Sequence, residues 1–515
     1  SVGEDGVGLT KFDFLGIKNL TILADAIKRV KASRGIDLDI EAIPLDDHKT
    51  FEMLARGDTY GTFQLNGSGM TRWLKDLKPA TIHDINAMVA LYRPGPMQFI
   101  PQFIERKHNP RLIKYLDPAM EPILKDTYGI LVYQDDLLIM AHEFAGYSWG
   151  EVDKFRKAVG KKIPEEMAKQ KEKFIEGCVE HSKWPLKKAE EVWEWIEPFA
   201  AYGFNKAHSA SYGRVAYQTS YLKANYPVEY MAALLTADSG DTEEIARLVA
   251  EAKRMNIPIL PPDVNESGTD FTIVGEKKDT IRFGLSSIKN FGEGIAQSII
   301  DERATHGPYA SLSEFLSRVG SKNLNRKSLE SLIKCGALDS FEERGTLLAN
   351  IEAMLAFHKD ATAPAEQDSL FGAGVFAPPT LALASAASIS LSEKLDWEKE
   401  LLGIYVSGHP LDAHGEKTAK SRVTLAKIKE EHQAGLPVIV PVLVAEVRTI
   451  LTKGGEKMAF VKFEDKSDSL EAVIFPRLFK EHSAAVAAGK CLLVKAKVSN
   501  RNGELSLAVD DLKAL

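Results

Sequence analysis

The chain has 515 residues, 44% hydrophobic, 27% charged and 8% aromatic, which supplies several apolar cores, excludes wholesale disorder and, at roughly 150 residues per domain, predicts three to four domains. Its formal net charge of −7 gives no overall basic field of the kind that attracts nucleic acid, so such a partner must be read from local patches. No run approaches about eighteen apolar residues and SVGEDGVGLT has no charged-then-apolar signal pattern, so neither membrane nor secretion is supported and the cytoplasm is the expected location; Cys178, Cys335 and Cys491 lack the spacing of a disulfide framework or a zinc site.

The chain opens at Ser1 on a Gly-rich stretch that feeds KFDFLGI, and it reads as a piece of something longer. Lys11, Asp13 and Leu15 alternate with Phe12 and Phe14, which is a strand pattern, and Lys18 to Lys31 then carries apolar residues at helical spacing. Helical periodicity dominates from 36 to 260, broken at RPGPM (93 to 97) and ILPPD (259 to 263), and predicts one large helical domain. The short strands FTIV and IRFGL precede two units of apolar stretch, Gly turn and helix: SSIKNFGEGIAQSIIDER and LNRKSLESLIKCGALDSF.

The first unit resembles a helix-hairpin-helix, in which Gly292 and Gly294 would let backbone N–H groups approach a DNA phosphate. A plain helical hairpin whose glycine ends a helix fits the same residues equally well. From 357 to 395 the composition is that of an Ala-, Ser- and Pro-rich linker, with QDSLF inside it. From 437 onward five strand patterns, with one helix between the third and fourth, suggest an OB-fold, a barrel that binds single-stranded nucleic acid or serves as a spacer. The fold class is therefore multidomain α+β: a mostly helical domain, a helix-hairpin-helix region and a C-terminal OB barrel.

Several residues could carry chemistry. Lys11 and Asp13 share a strand face, the pairing that a metal-bound triphosphate needs, although surface Lys-x-Asp strands are common. The span 154 to 173 holds eight basic and three acidic residues, and Lys154, Lys157 and Lys161 share one helical face, a phosphate footprint or a solvated face. VGKK within it is not a P-loop, because Phe155 replaces the first Gly and Lys162 the Ser or Thr. In YGFNKAHSASYGR, Asn205, Lys206, His208, Ser209, Ser211 and Arg214 open a helix after Gly203, where free N–H groups and adjacent cations would hold an anionic phosphate chain. Asp135 and Asp136 in LVYQDDLLI look like the metal-binding Y-x-D-D turn of reverse transcriptases, but Leu137, Met140, Ala141 and Phe144 continue at helical spacing, which makes them an acidic helix start.

With KFDFLGIKNLTIL, FQLNGSGM, LYRPGPM, YGILVYQDD, FRKAVGKK, YGFNKAHSASYG, ILPPDVN, LNRKSLESLIKCGALD and GIYVSGHPLD in order, the chain closely resembles the alpha subunit of bacterial DNA polymerase III, the C-family replicative polymerase, over nearly its whole length. The resemblance implies the end of the palm over 1–35, fingers over 36–260, a clamp-binding region with helix-hairpin-helix over 261–356, a linker with a clamp motif and connecting segment over 357–436, and the OB domain over 437–515. It implies that Asp13 is the third palm carboxylate, a ligand of catalytic Mg²⁺, with Lys11 near the triphosphate. Arg156, Lys206 and His208, supported by Arg93, would face the phosphates of the incoming nucleotide. Gln367, Leu370 and Phe371 of QDSLF would dock on the sliding clamp. Two departures stand out: YQDD replaces the common YQEQ, and NFG at 290 to 292 replaces Gly-x-Gly.

The implied reaction is template-directed transfer of a nucleotide from a dNTP to a primer 3′-hydroxyl with two Mg²⁺ ions. The implied partners are primer-template DNA, dNTPs, the sliding clamp, the proofreading exonuclease and the clamp-loader, with no membrane. Two metals about 4 Å apart need more than one bridging carboxylate, so the 515 residues alone are expected to be inactive. The alternatives are a non-catalytic module that binds DNA and the sliding clamp, and a reverse transcriptase built on Asp135 and Asp136.

Overall fold

Side-chain caps fix where several of the helices begin. The computed structural model describes residues 15–515 except 162–163, 200–202, 321–323, 363–380, 419–422, 432–433, 453 and 502–503. The described residues form two compact units, one up to Ala237 and one from Asp238 onward. That boundary falls inside the stretch 36 to 260, which periodicity alone reads as one helical domain.

The first unit is helical: α1 (Lys18–Arg34), α2 (His48–Arg56), α3 (Ser68–Leu77), α4 (Ile82–Leu91), α5 (Ile100–His108), α6 (Glu121–Leu124), α7 (Gln134–Ala145), α8 (Trp149–Lys161), α9 (Pro164–Glu180), α10 (Leu186–Phe199), α11 (Lys206–Asn225) and α12 (Pro227–Ala237). Asp47 caps α2 by accepting from the Thr50 N–H, and Thr81 with Asp84 forms a reciprocal capping box on α4. Two apolar cores result. One joins α2 to α5 and α11 through Phe51, Leu54, Met88, Phe103 and Tyr217; the other joins α7 to α10 through Leu137, Phe144, Phe155, Phe174 and Trp193. α11 passes close to α4: a Cβ at Gly213 would meet the Asn86 side chain, so any larger residue there requires Asn86 to move.

The second unit opens with α13 (Thr242–Arg254) and a small sheet of β1 (Ile259–Leu260), β2 (Thr272–Val274) and β3 (Thr280–Arg282), in the order β1-β3-β2. It continues through α14 (Glu293–His306), α15 (Leu312–Arg318), α16 (Arg326–Lys334), α17 (Arg344–Ala349), α18 (Ile351–Ala361), α19 (Leu391–Leu402), α20 (Gly415–Thr418) and α21 (Leu425–Glu431). The described end of the stretch read as linker is tied down, because its backbone finds partners that composition does not reveal. The Asn350 side chain exchanges hydrogen bonds with both backbone groups of Ala384, and the Ile389 N–H donates to Glu343.

The chain ends in β4 (Pro437–Leu451), β5 (Lys457–Glu464), β6 (Ser469–Ile474), α22 (Pro476–His482), β7 (Cys491–Arg501) and β8 (Glu504–Ala514). These strands close into a barrel in the order β4-β5-β6-β8-β7, with β6 and β8 parallel and β7 returning to β4. Alternation fills it: Ala459, Val461 and Phe463 of β5 point inward with Val440, Val442, Ile474, Val494 and Leu507. The five strands and the helix after the third match the sequence expectation. Among the described residues no helix is long and apolar enough to cross a membrane.

Candidate nucleotide and nucleic-acid site

The site is built where two helices begin side by side. Tyr133 and Phe204 form a parallel bridge, the Gln134 N–H donates to the Phe204 carbonyl at 2.8 Å, and the Phe204 N–H donates to the Val132 carbonyl at 3.4 Å. The starts of α7 and α11 are therefore held together. The approach is tight: a Cβ at Gly203 would lie 2.8 Å from the Phe199 ring, which explains the glycine of YGFNK.

Asn205 caps α11 by accepting from the His208 N–H at 2.7 Å. The first residue of that helix is claimed by the first turn of α7. The Asp135 carboxylate accepts from the Lys206 backbone N–H at 2.7 Å, and the Asp136 carboxylate accepts from Lys206 Nζ at 2.9 Å. The Lys206 ammonium also stands 5.3 Å from the centroid of the Tyr133 ring. Asp136 is 1% exposed, whereas Lys206 is half-exposed, so the pair joins the interior to the surface. Asp136 Oδ2 is buried without a hydrogen-bond partner among the described residues. Burial pushes the Asp136 carboxyl up to about 6; the Lys206 hydrogen bond and charge oppose that shift, while Asp135 and Asp126 add like-charge repulsion.

Aromatic contacts gather the remaining cations. The Arg93 guanidinium lies 4.8 Å from the Phe204 centroid, the His208 ring meets Phe204 edge-on at 5.5 Å, and His208 packs on Tyr212 at 4.2 Å. Arg93 and His208 thus flank the Phe204 ring, and Lys206, two residues before His208, stands over Tyr133 at the same helix start, whose N–H groups favour an anion. Arg93 and His208 are exposed. Ser209 is buried and donates to the Asn86 carbonyl, Ser211 donates to the Ala207 carbonyl and Arg214 to the Glu41 carbonyl, so these three side chains are used within the fold.

The basic helix expected after Trp149 is α8. Lys154, Arg156 and Lys157 are exposed along it, and Lys161 is its last residue. Arg156 and Lys157 share Asp153 at 2.9 and 3.2 Å, and their hydrogen bonds hold that carboxyl below the usual range. Such solvent-exposed pairs are weak and screened by salt, so phosphate can displace them. In the second unit, Gly292 N-caps α14 with φ −79°, and a Cβ there would meet nothing within 4 Å, so the turn is open to an approaching ligand. Gly294 lies in the first turn of α14. Asn290 adopts φ +66°, a left-handed conformation that asparagine tolerates better than most residues other than glycine.

Asp135 and Asp136 lie in the first turn of a helix, as the apolar spacing after them indicates. Their partnership with Lys206 was not anticipated; seventy intervening residues leave no local signal beyond an acidic helix start. Among the described residues no group of three or more His, Cys, Asp or Glu side chains is placed to hold a metal ion. Lys11, Asp13, Gln367, Leu370 and Phe371 lie outside the described residues.

Comparisons with known proteins match each region. Residues 19–182 fit the bacterial DNA polymerase III alpha subunit finger domain, 256–347 a helix-hairpin-helix motif, and 442–515 an OB-fold nucleic acid binding domain. The DNA polymerase III subunit alpha of Thermus aquaticus is 43% identical over 504 residues, covering 96% of this chain and 41% of the relative. That of Aquifex aeolicus (strain VF5) is 39% identical, covering 95% of this chain and 41% of the relative. That of Bacillus subtilis (strain 168) is 38% identical, covering 99% and 45%. The chain spans less than half the length of these relatives. With a finger domain, a helix-hairpin-helix region and a closed OB barrel aligned along almost all of its residues, the chain belongs to the family of bacterial DNA polymerase III alpha subunits.

Proposed function

We propose that this chain supplies the nucleotide-binding fingers, the helix-hairpin-helix region and the OB domain of a replicative DNA-directed DNA polymerase, with the start of α11 as the phosphate-binding surface for the incoming dNTP. The observation that carries this reading is Lys206, fixed at its backbone by Asp135 and at its ammonium by Asp136, beside exposed Arg93 and His208. A preordered ammonium loses little side-chain freedom when a triphosphate binds, and the capped helix start adds its own partial positive charge. Chemistry of this class relies on positioning and charge stabilisation rather than on covalent catalysis by the protein.

The finer assignments rest on the resemblance. Asp13 contributes one carboxylate to Mg²⁺ and Lys11 stands near the triphosphate; one carboxylate does not make a two-metal site, so the 515 residues alone do not extend a primer. QDSLF, with Gln367, Leu370 and Phe371, docks on the sliding clamp, and the polymerase works with the proofreading exonuclease and the clamp-loader in the cytoplasm. Lys206→Ala in the full-length subunit tests the phosphate assignment by steady-state primer extension. The KM for dNTP should rise about tenfold or more, in line with a lost charge-assisted hydrogen bond, while primer-template affinity stays within about twofold. An unchanged KM overturns the assignment.

A further inference from the structure

We infer that Trp149 is a stacking platform for a base of a single-stranded nucleic acid whose backbone runs along α8. The inference rests on the nucleic-acid reading above and adds a contact to it. Trp149 is 62% exposed, and no other of the six tryptophans is exposed. A surface indole needs a reason when its neighbours along the helix are charged rather than apolar.

The platform is rigid. The His142 imidazole stacks under the indole with centroids 4.3 Å apart and ring planes 24° apart, and the imidazole is itself held by a 2.6 Å hydrogen bond between Nδ1 and the Tyr147 carbonyl. The start of α8 is fixed as well, because the Glu151 carboxylate accepts from both the N–H and the hydroxyl of Ser148 and from Lys173. With one indole face covered by His142 and the ring still largely exposed, a base completes the stack without any rearrangement.

The chemistry along the helix selects the ligand. Arg156 lies seven residues beyond Trp149, so it sits about 10 Å further along the axis and within about 20° around it. Lys157, the next residue, is also exposed and stands about a quarter turn around the helix from Arg156, whereas Lys154 lies on the far side of the helix from the indole. An aromatic ring followed by guanidinium and ammonium groups matches a base followed by phosphates, whereas an apolar protein surface would find charged neighbours beside the ring. A free nucleotide offers the same base but not the following phosphates.

Intrinsic fluorescence titration of the 515-residue chain with oligo-dT, an abasic strand of equal length and dTTP separates these possibilities. Oligo-dT should quench the exposed indole, Trp149→Ala should weaken its binding about tenfold and abolish that quench, and Trp149→Phe should retain most of the affinity. Abasic-strand binding should not respond to either substitution. The platform is overturned if Trp149→Ala binds oligo-dT as tightly as the parent, if it loses abasic-strand affinity equally, or if dTTP alone produces the quench. Failure of the parent chain to bind any strand overturns the nucleic-acid reading, and the platform falls with it.

Discussion

Two buried ionic clusters, one in each unit, are built to opposite plans. Arg344 is fully buried, and each of its guanidinium nitrogens donates: Nε and Nη2 to Asp339, Nη1 to the Lys334 carbonyl, and both Nη atoms to Glu398. Glu398 is equally buried and also accepts from the Val406 and Ser407 N–H groups and the Ser407 hydroxyl. In the Lys206 cluster the carboxylate is buried but keeps one oxygen unpartnered, and the cation reaches the surface. A saturated network has no capacity left for a ligand and acts by fixing one arrangement of α16, α17 and α19. In the other cluster the group a phosphate could meet is the half-exposed Lys206 ammonium at the helix start, not the buried carboxylate oxygen, which can only accept.

The contrast breaks most sharply at Arg344. Arg344→Met leaves Glu398 buried without its cation, and the stability of that unit should fall by about 3–5 kcal/mol, read as a lower urea midpoint. Adding Glu398→Gln should restore part of the loss, because a neutral amide does not need a cation. A loss below about 1 kcal/mol would mean that the network holds nothing in place.

These clusters also mark the limit of what the sequence reveals. The barrel is legible because period-two alternation in MAFVKFED and its neighbours is a local property, and the positions of Asp135 and Asp136 follow from the apolar spacing after them. Arg344 in EERG has the look of a surface charge until Asp339 and Glu398 are folded around it. Asp136 and Lys206 are seventy residues apart, and no periodicity predicts their meeting. Asn290 carries the left-handed turn with a residue that a glycine search passes over, and Asn350 and Glu343 fix backbone that composition assigns to a linker.

A gentler test sharpens the comparison at Asp136. Its carboxyl titrates near 6 in the folded chain and in the ordinary carboxylate range when unfolded, so the folded state holds the proton more tightly. The Asp136 contribution to stability is therefore greatest at acid pH and declines as pH rises from about 4 to about 6. Asp136→Asn removes this titration. Thermal unfolding of the parent relative to the variant should lose at most about 3 kcal/mol across that window and run parallel to it above about pH 7. Parallel curves at every pH would show that the burial does not perturb the carboxyl.

The smallest stability effect belongs to the exposed end of the same unit. Arg156→Ala with Lys157→Ala removes two ion pairs to Asp153 that lie in water, so the unfolding midpoint should hardly move. Nucleic-acid binding should respond differently, because each cation that meets a phosphate releases a counterion. Titrations between about 50 and 200 mM salt should show the slope of log K against log salt reduced by about 1 to 2 in the double variant. An unchanged slope would remove α8 from the phosphate path. A clear fall in the unfolding midpoint would instead place Arg156 and Lys157 among the residues that hold the fold, as Arg344 does, and the division between saturated and exposed cations would no longer separate structure from binding.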